Sequence, residues 1–184
     1  MTGMVEVARS SMAAARTRWL AFWLLAAGVL VADQLSKWWV DASFALAWTR
    51  GPVEGLAAPT PLIGDFVRIA KSYNDGGLFG LFGANAQLLA LASLVVIGLI
   101  VVFERRSAAS SPWLLTISLG LLLGGALGNL VDRIRLGHVV DFIDVGIGTT
   151  RWYTFNVADA AISLAIVGLL LVGLVGERSS PRAT

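Results

Sequence analysis

The sequence contains no cysteine, which excludes disulfides, thiolate catalysis and Cys-ligated zinc. A single histidine, His138, leaves no second imidazole for a zinc site, although one histidine can serve as a general base. Charge is scarce as well. Only 14% of the 184 residues are charged while 57% are hydrophobic, and the mean hydropathy is +0.76. Such values describe an integral membrane protein with room for one domain. The formal net charge of +2 calls for no nucleic-acid partner. Any chemistry has to rest on Asp, Glu, Lys, Arg, Ser or Asn.

What the chain has in quantity is apolar length. Four stretches, Trp19–Val40, Leu78–Phe103, Trp113–Val131 and Phe155–Gly176, are long enough to span, since roughly 20 helical residues cross a hydrocarbon core about 30 Å thick. In the first, fourteen uncharged residues precede Asp33, and with Arg16 and Arg18 ahead of them a cleaved signal peptide is the competing reading. No A-x-A site follows, and "DQLSKWWV" continues helically to a Trp pair suited to an interface, so the stretch is read as a span. The expected organisation is an all-α membrane protein: tails at residues 1–18 and 177–184 around one domain of four transmembrane helices at 19–176. Outer loops at 41–77 and 132–154 would form a small extracytoplasmic β-cradle and a short periplasmic helix or loop. The first loop has turn chemistry in "TRGPVEG" and "APTPLIGD", then "FVRIAKSYN", whose β-branched and aromatic content predicts a strand. Gly120, Gly124 and Gly128 recur every four residues and predict a smooth face for close helix packing. With the N-terminus inside, seven basic residues oppose three acidic ones on the inner side, against seven and nine outside. Both termini are therefore expected in the cytoplasm.

Ionisable groups at a membrane boundary are costly and hence functional candidates. "GNLVDRIRLGHVVDFID" brings Asp132, Arg133, Arg135, Asp141 and Asp144 to such a boundary. Asp33 with Lys37, and Asn129 with Arg133, are spaced i, i+4 and share helix faces. A scaffold ion pair accounts for Asp33 and Lys37, a working role being the alternative. Asn156 reads as a helix N-cap with Asp159 as the acidic member of a capping box, which accounts for Asp159 as well as catalysis does. Asp141, flanked by Val139, Val140, Phe142 and Ile143, has no such local reason. It is either buried with a partner or a working group, and Asp159 supplies the partner. Asp144 is expected in solvent. Ser36–Lys37 and Lys71–Ser72 are adjacent residues that point apart, and a G-x-S-x-G elbow is absent. Two carboxylates sharing a proton and activating a water for amide hydrolysis fit best. A small transporter or channel subunit is the alternative, but it would spread polar groups through the bilayer depth.

Taken in order, "DQLSKWWV", "NDGGLFG", "GNLVDRIRLGHVVDFID" and "FNVADAAI" resemble the motifs of the bacterial lipoprotein signal peptidases (signal peptidase II, peptidase family A8), from about Trp19 to Val175. The resemblance implies an aspartyl endopeptidase of the inner membrane that cleaves the signal peptide from a diacylglyceryl-modified prolipoprotein, N-terminal to the lipidated cysteine. It implies Asp141 and Asp159 as the catalytic pair, Asn74, Gly76, Asn129, Arg133 and Asn156 around the site, and Asp33, Lys37 and Asp132 as structural polar residues. No cofactor or metal is expected. The partners implied are the prolipoprotein and membrane lipids, with no nucleic acid, and a monomer is expected. Where the family's second motif has a small residue before its Phe, this chain has Leu78, a departure that bears on how the outer loop fits substrate. Within the pair, the helix-start position of Asp159 favours its charge and the apolar flanks of Asp141 favour its neutral acid.

Overall fold

The computed structural model describes residues 2–47, 56–75, 86–107 and 112–178. Four helices, α1 (Thr2–Ser43), α2 (Ala86–Ser107), α3 (Trp113–Leu136) and α4 (Val157–Arg178), each contain a stretch long and apolar enough to cross a membrane. Helix α3 is central: 61% of its crossing stretch is buried, against 17%, 11% and 22% in α1, α2 and α4. The other three surround it and turn their leucines and valines outward, as lipid-facing helices do.

Close approach to α3 is made possible by its glycines. A side-chain carbon on Gly124 would stand 2.7 Å from the Ala26 carbonyl oxygen and 2.6 Å from the Val29 Cβ of α1, and one on Gly125 would stand 2.5 Å from the Ala158 carbonyl oxygen of α4. Gly120 likewise faces Phe22 and Leu25, so the expected glycine face packs as a helix interface. Phe22, Ala26, Leu119 and Leu123 fill the seam, and Ile100 brings in α2.

A four-stranded antiparallel sheet in the order β1 (Thr60–Ile63), β2 (Val67–Asn74), β3 (Val139–Ile147), β4 (Thr150–Arg151) closes one end of the bundle. Helix α3 stops at Gly137, whose left-handed φ of 76° lets the chain turn directly into β3. Val40 of α1 packs on Ile69 and Phe142, fixing the sheet to the helices. Between the pairs Ile69↔Ile143 and Ser72↔Asp141 the register shifts, a bulge that turns Lys71 toward the end of α1, where its ammonium bonds the carbonyls of Asp41 and Phe44.

Several boundaries differ from expectation. Helix α1 begins well before Trp19, so the expected tail is largely helical, and α3 runs one turn beyond Val131, carrying Asp132 and Arg133 on the helix. The described residues between α3 and α4 hold the β3–β4 hairpin and its flanking loops, part of the expected outer sheet. Residues 78–85 of the second expected span lie outside the described residues, as do Gly76 and Leu78.

Candidate active site

Three helix ends and two strands meet where the sheet joins the bundle. Lys37, on α1, is buried and directs its three donors to Asp33 Oδ2 (2.8 Å), Asp132 Oδ2 (2.9 Å) and Asn129 Oδ1 (3.0 Å). Because an ammonium only donates, it fixes the Asn129 carboxamide with its oxygen toward Lys37 and its nitrogen outward. That nitrogen donates to Asp159 Oδ1 at 2.8 Å. Asn129 and Asp132 lie almost one turn apart on α3, so one cation positions both.

Asp159 stands in the first turn of α4 and belongs to a reciprocal cap. Its backbone N–H donates to Asn156 Oδ1 (2.9 Å), and its own Oδ2 accepts from the Asn156 N–H (3.3 Å). The Asn156 side chain, fully buried, also donates to Asp141 Oδ1 at 2.6 Å and to Asn129 Oδ1 at 3.2 Å. Asn74 on β2 donates to the other oxygen of Asp141 at 3.1 Å. Two asparagines thus link the carboxylates of a strand and a helix.

The two acids differ in setting. Asp141 is 3% exposed, whereas Asp159 is half-buried and within reach of the outside. Burial, followed by the charge of Asp159, pushes the Asp141 carboxyl up to about 7, against the hydrogen bonds from Asn74 and Asn156 and the charge of Lys37. Arg133 is half-buried, its Nη1 donating to the Asn129 carbonyl at 3.3 Å, and its charge acts on Asp159, Asp141 and Asp132. This arrangement offers two carboxylates able to share one proton, a cation beside them, and amides that hold both in place.

Comparison with known proteins decides the family. Residues 25–175 match the family model for signal peptidase (SPase) II. The lipoprotein signal peptidase of Moorella thermoacetica is 40% identical over 148 residues, 80% of this chain and 89% of the relative. That of Syntrophomonas wolfei is 39% identical over 165 residues, 89% of this chain and 100% of the relative. The chain belongs to the signal peptidase II family. Membership makes it a multi-pass membrane peptidase. The fold agrees with a bacterial membrane enzyme solved by the in meso method at 2.3 Å resolution: TM-score 0.76, 22% identity, 89% of this chain and 93% of that chain covered.

In this signal peptidase II, the residues singled out in the sequence converge: Asp33, Lys37, Asn74, Asn129, Asp132, Arg133, Asp141, Asn156 and Asp159 share one connected polar cluster. Gly76 lies outside the described residues. Asp33 has a second task, accepting the buried N–H of Ala158 at 2.9 Å and so satisfying a free amide of the α4 start. Gln34 was missed; it donates to Asp132 Oδ1 at 2.9 Å, and its amide within an apolar span was the available signal. Asp144 is not in solvent. It is 5% exposed and held by Arg68 (2.6 Å) and Arg151 (2.9 Å). Burial works to raise its carboxyl, but the bonds from Arg151 and Arg68 outweigh this and hold it below the usual carboxylate range. Glu104 is a fully buried residue of α2 that accepts the Thr116 hydroxyl at 3.0 Å.

Proposed function

We propose that this peptidase removes the signal peptide from diacylglyceryl-modified prolipoproteins, N-terminal to the lipidated cysteine, with Asp141 and Asp159 as an acid/base pair acting on water. The observation that carries the reading is the joining of these two carboxylates, from β3 and α4, through Asn156 and Asn129.

Asp159 is the base. It heads a helix, where free N–H groups and the dipole favour negative charge, and both of its oxygens accept N–H groups. Asp141 carries the shared proton, in keeping with its burial and its carboxyl near 7. Asp159 takes a proton from water as the water oxygen bonds to the scissile carbonyl carbon. Asp141 gives its proton to the carbonyl oxygen, forming a neutral gem-diol. In the collapse, the proton held on Asp159 passes to the departing amide nitrogen, the C–N bond breaks, and a diol proton returns to Asp141. Both acids then regain their starting states, as a cycle of general acid–base catalysis requires.

Arg133 is proposed to hold a substrate carbonyl, since it donates to the carbonyl of Asn129, whose side chain binds Asp159. Asn74, Asn129 and Asn156 position the pair, Gly76 belongs to the adjoining outer segment, and Asp33, Lys37 and Asp132 form the scaffold beneath. The enzyme acts as a monomer in the bacterial inner membrane with both termini in the cytoplasm and the site near the outer face, where a lipid-anchored precursor presents its cleavage site. Polar groups gathered at one end of the bundle do not support a transport pathway.

The test is to incubate the purified protein with a diacylglyceryl-modified prolipoprotein and with the same precursor lacking the lipid. Only the lipidated form is expected to shorten. Equal cleavage of both, or full activity after Asp141→Asn and Asp159→Asn, would reject the reading.

A further inference from the structure

The far end of the sheet carries an apolar surface that the reaction does not use. The β1–β2 turn at Gly64–Phe66 and the β3–β4 turn at Gly148–Thr149 lie side by side, joined by Gly146 N–H to the Phe66 carbonyl (3.0 Å) and Arg151 Nη1 to the Asp65 carbonyl (2.6 Å). Around this tip Ile63, Phe66, Ile147, Trp152 and Tyr153 are 67%, 53%, 76%, 68% and 63% exposed. Of the charges nearby, Arg68 and Arg151 are largely covered and both bind the buried Asp144, while Asp65 in the first turn, which both arginines also bind, keeps 56% of its side chain exposed. A sheet edge bathed in water shows the reverse pattern, with charge outside and apolar groups within.

The attachment of the sheet puts this tip at the level of the bilayer. Strand β3 leaves α3 three residues after Leu136, and Ile143 exchanges backbone hydrogen bonds (2.8 and 3.1 Å) with Phe155, two residues ahead of α4. Val40, near the end of α1, packs on Ile69 and Phe142. Three helix ends on one side of the bundle define a plane along the membrane surface, and strands that meet all three run along that plane. Ile147 stands roughly 13 Å beyond Ile143 in the same direction, at about 3.3 Å per residue. Trp38 and Trp39 on α1, 70% and 48% exposed, provide the aromatic marks of the same interface.

We propose that the hairpin tip is a second membrane contact, with Ile63, Phe66, Ile147 and Trp152 seated among the lipids of the leaflet on the sheet side. A residue pair such as Trp152 and Ile147 suits the headgroup–acyl boundary. Seated there, the tip holds β3, and Asp141 with it, flat against the bilayer. The contact stands independently of the proposed reaction; only its use in meeting a lipid-anchored substrate rests on that reading.

The absence of cysteine makes the test direct. Ile147→Cys, labelled with an environment-sensitive bimane, is reconstituted in nanodiscs of phosphatidylcholine and phosphatidylglycerol. The expected result is blue-shifted emission, quenched by lipids doxyl-labelled high on the acyl chain and shielded from aqueous iodide. Quenching by iodide without quenching by doxyl lipid overturns the proposal, and so does shielding from both, which would indicate a protein partner or second copy. A catalytic readout accompanies it. Phe66→Ser combined with Trp152→Ser is expected to raise KM for a lipidated precursor in nanodiscs several-fold with kcat unchanged. An unchanged KM in nanodiscs would remove the proposed role in substrate capture, whereas a wild-type protein inactive on every precursor would instead reject the reaction, leaving the fluorescence result to judge the contact.

Discussion

At the residue scale, what separates Asp141 from Asp159 is the element that carries each. A strand residue at 3% exposure gains little from water, and a helix-start residue gains from the amides ahead of it. Asp141→Asn and Asp159→Asn are each expected to lower kcat/KM on the order of 10²- to 10⁴-fold, the range of a general acid or base. Since the pair needs one shared proton and the Asp141 carboxyl lies near 7, kcat/KM should fall as pH rises through about 7, the two acids titrating as a unit. Stability follows the same proton. A carboxyl whose folded pKa is raised from 3.8 to about 7 binds more protons folded than unfolded between those values, so stability declines as pH climbs through that window. Thermal unfolding midpoints measured across the window should fall for the wild type more than for Asp141→Asn. Parallel curves would show that Asp141 does not carry the proton. Lys37 behaves differently because it neutralises two buried carboxylates. Lys37→Met should destabilise the protein by about 3–5 kcal/mol, the cost of leaving buried charge uncompensated, visible as a lowered midpoint at neutral pH.

At the scale of elements, α3 is where packing and chemistry are coupled, because the glycine face that admits α1 and α4 ends one residue before Asn129. Gly124→Val would press on the Ala26 carbonyl, backbone that has no room to yield, whereas Gly98→Val on α2 meets nothing within 4 Å. The first should cost about 1–3 kcal/mol as overpacking and lower activity by moving Asn129; the second should leave both untouched, which thermal midpoints and kcat/KM can check. Much of this was legible in the sequence: four apolar spans, the glycine spacing, the cap of Asn156 with Asp159, and strand β2 all follow from local pattern. Strand β3 was not. The first four residues of "VVDFIDVGI" are buried on both faces, so the alternation that marks a half-exposed strand is missing. Long-range pairings were equally hidden. Asp144 was expected in solvent because its partner Arg68 lies 76 positions away across the sheet, and nothing near Asp33 hints that it accepts an amide 125 positions later. Local spacing identifies which polar groups share a helix face, while the fold alone decides which faces meet.

For the whole molecule, the distribution of charge argues for one orientation in the membrane. At the sheet end, Lys37, Arg68, Lys71 and Arg151 are each matched by aspartates. At the opposite end Arg9, Arg16, Arg105 and Arg106 are exposed, against Arg135 among the described residues of the sheet end, and Glu104 is withdrawn into the bundle against Thr116. Positive charge left facing solvent beside a span is retained on the cytoplasmic side during insertion. The α2–α3 connection and both termini are therefore expected in the cytoplasm, with the sheet and the paired acids on the outer side. The lack of native cysteine permits single-cysteine labelling with a membrane-impermeant maleimide. Ala58→Cys, exposed just ahead of β1, should label in intact spheroplasts. Ser107→Cys, at the end of α2, should label only after the membrane is opened. Labelling in the reverse order would invert the molecule and put the acid pair at the cytoplasmic surface, where a precursor anchored in the outer leaflet could not reach it.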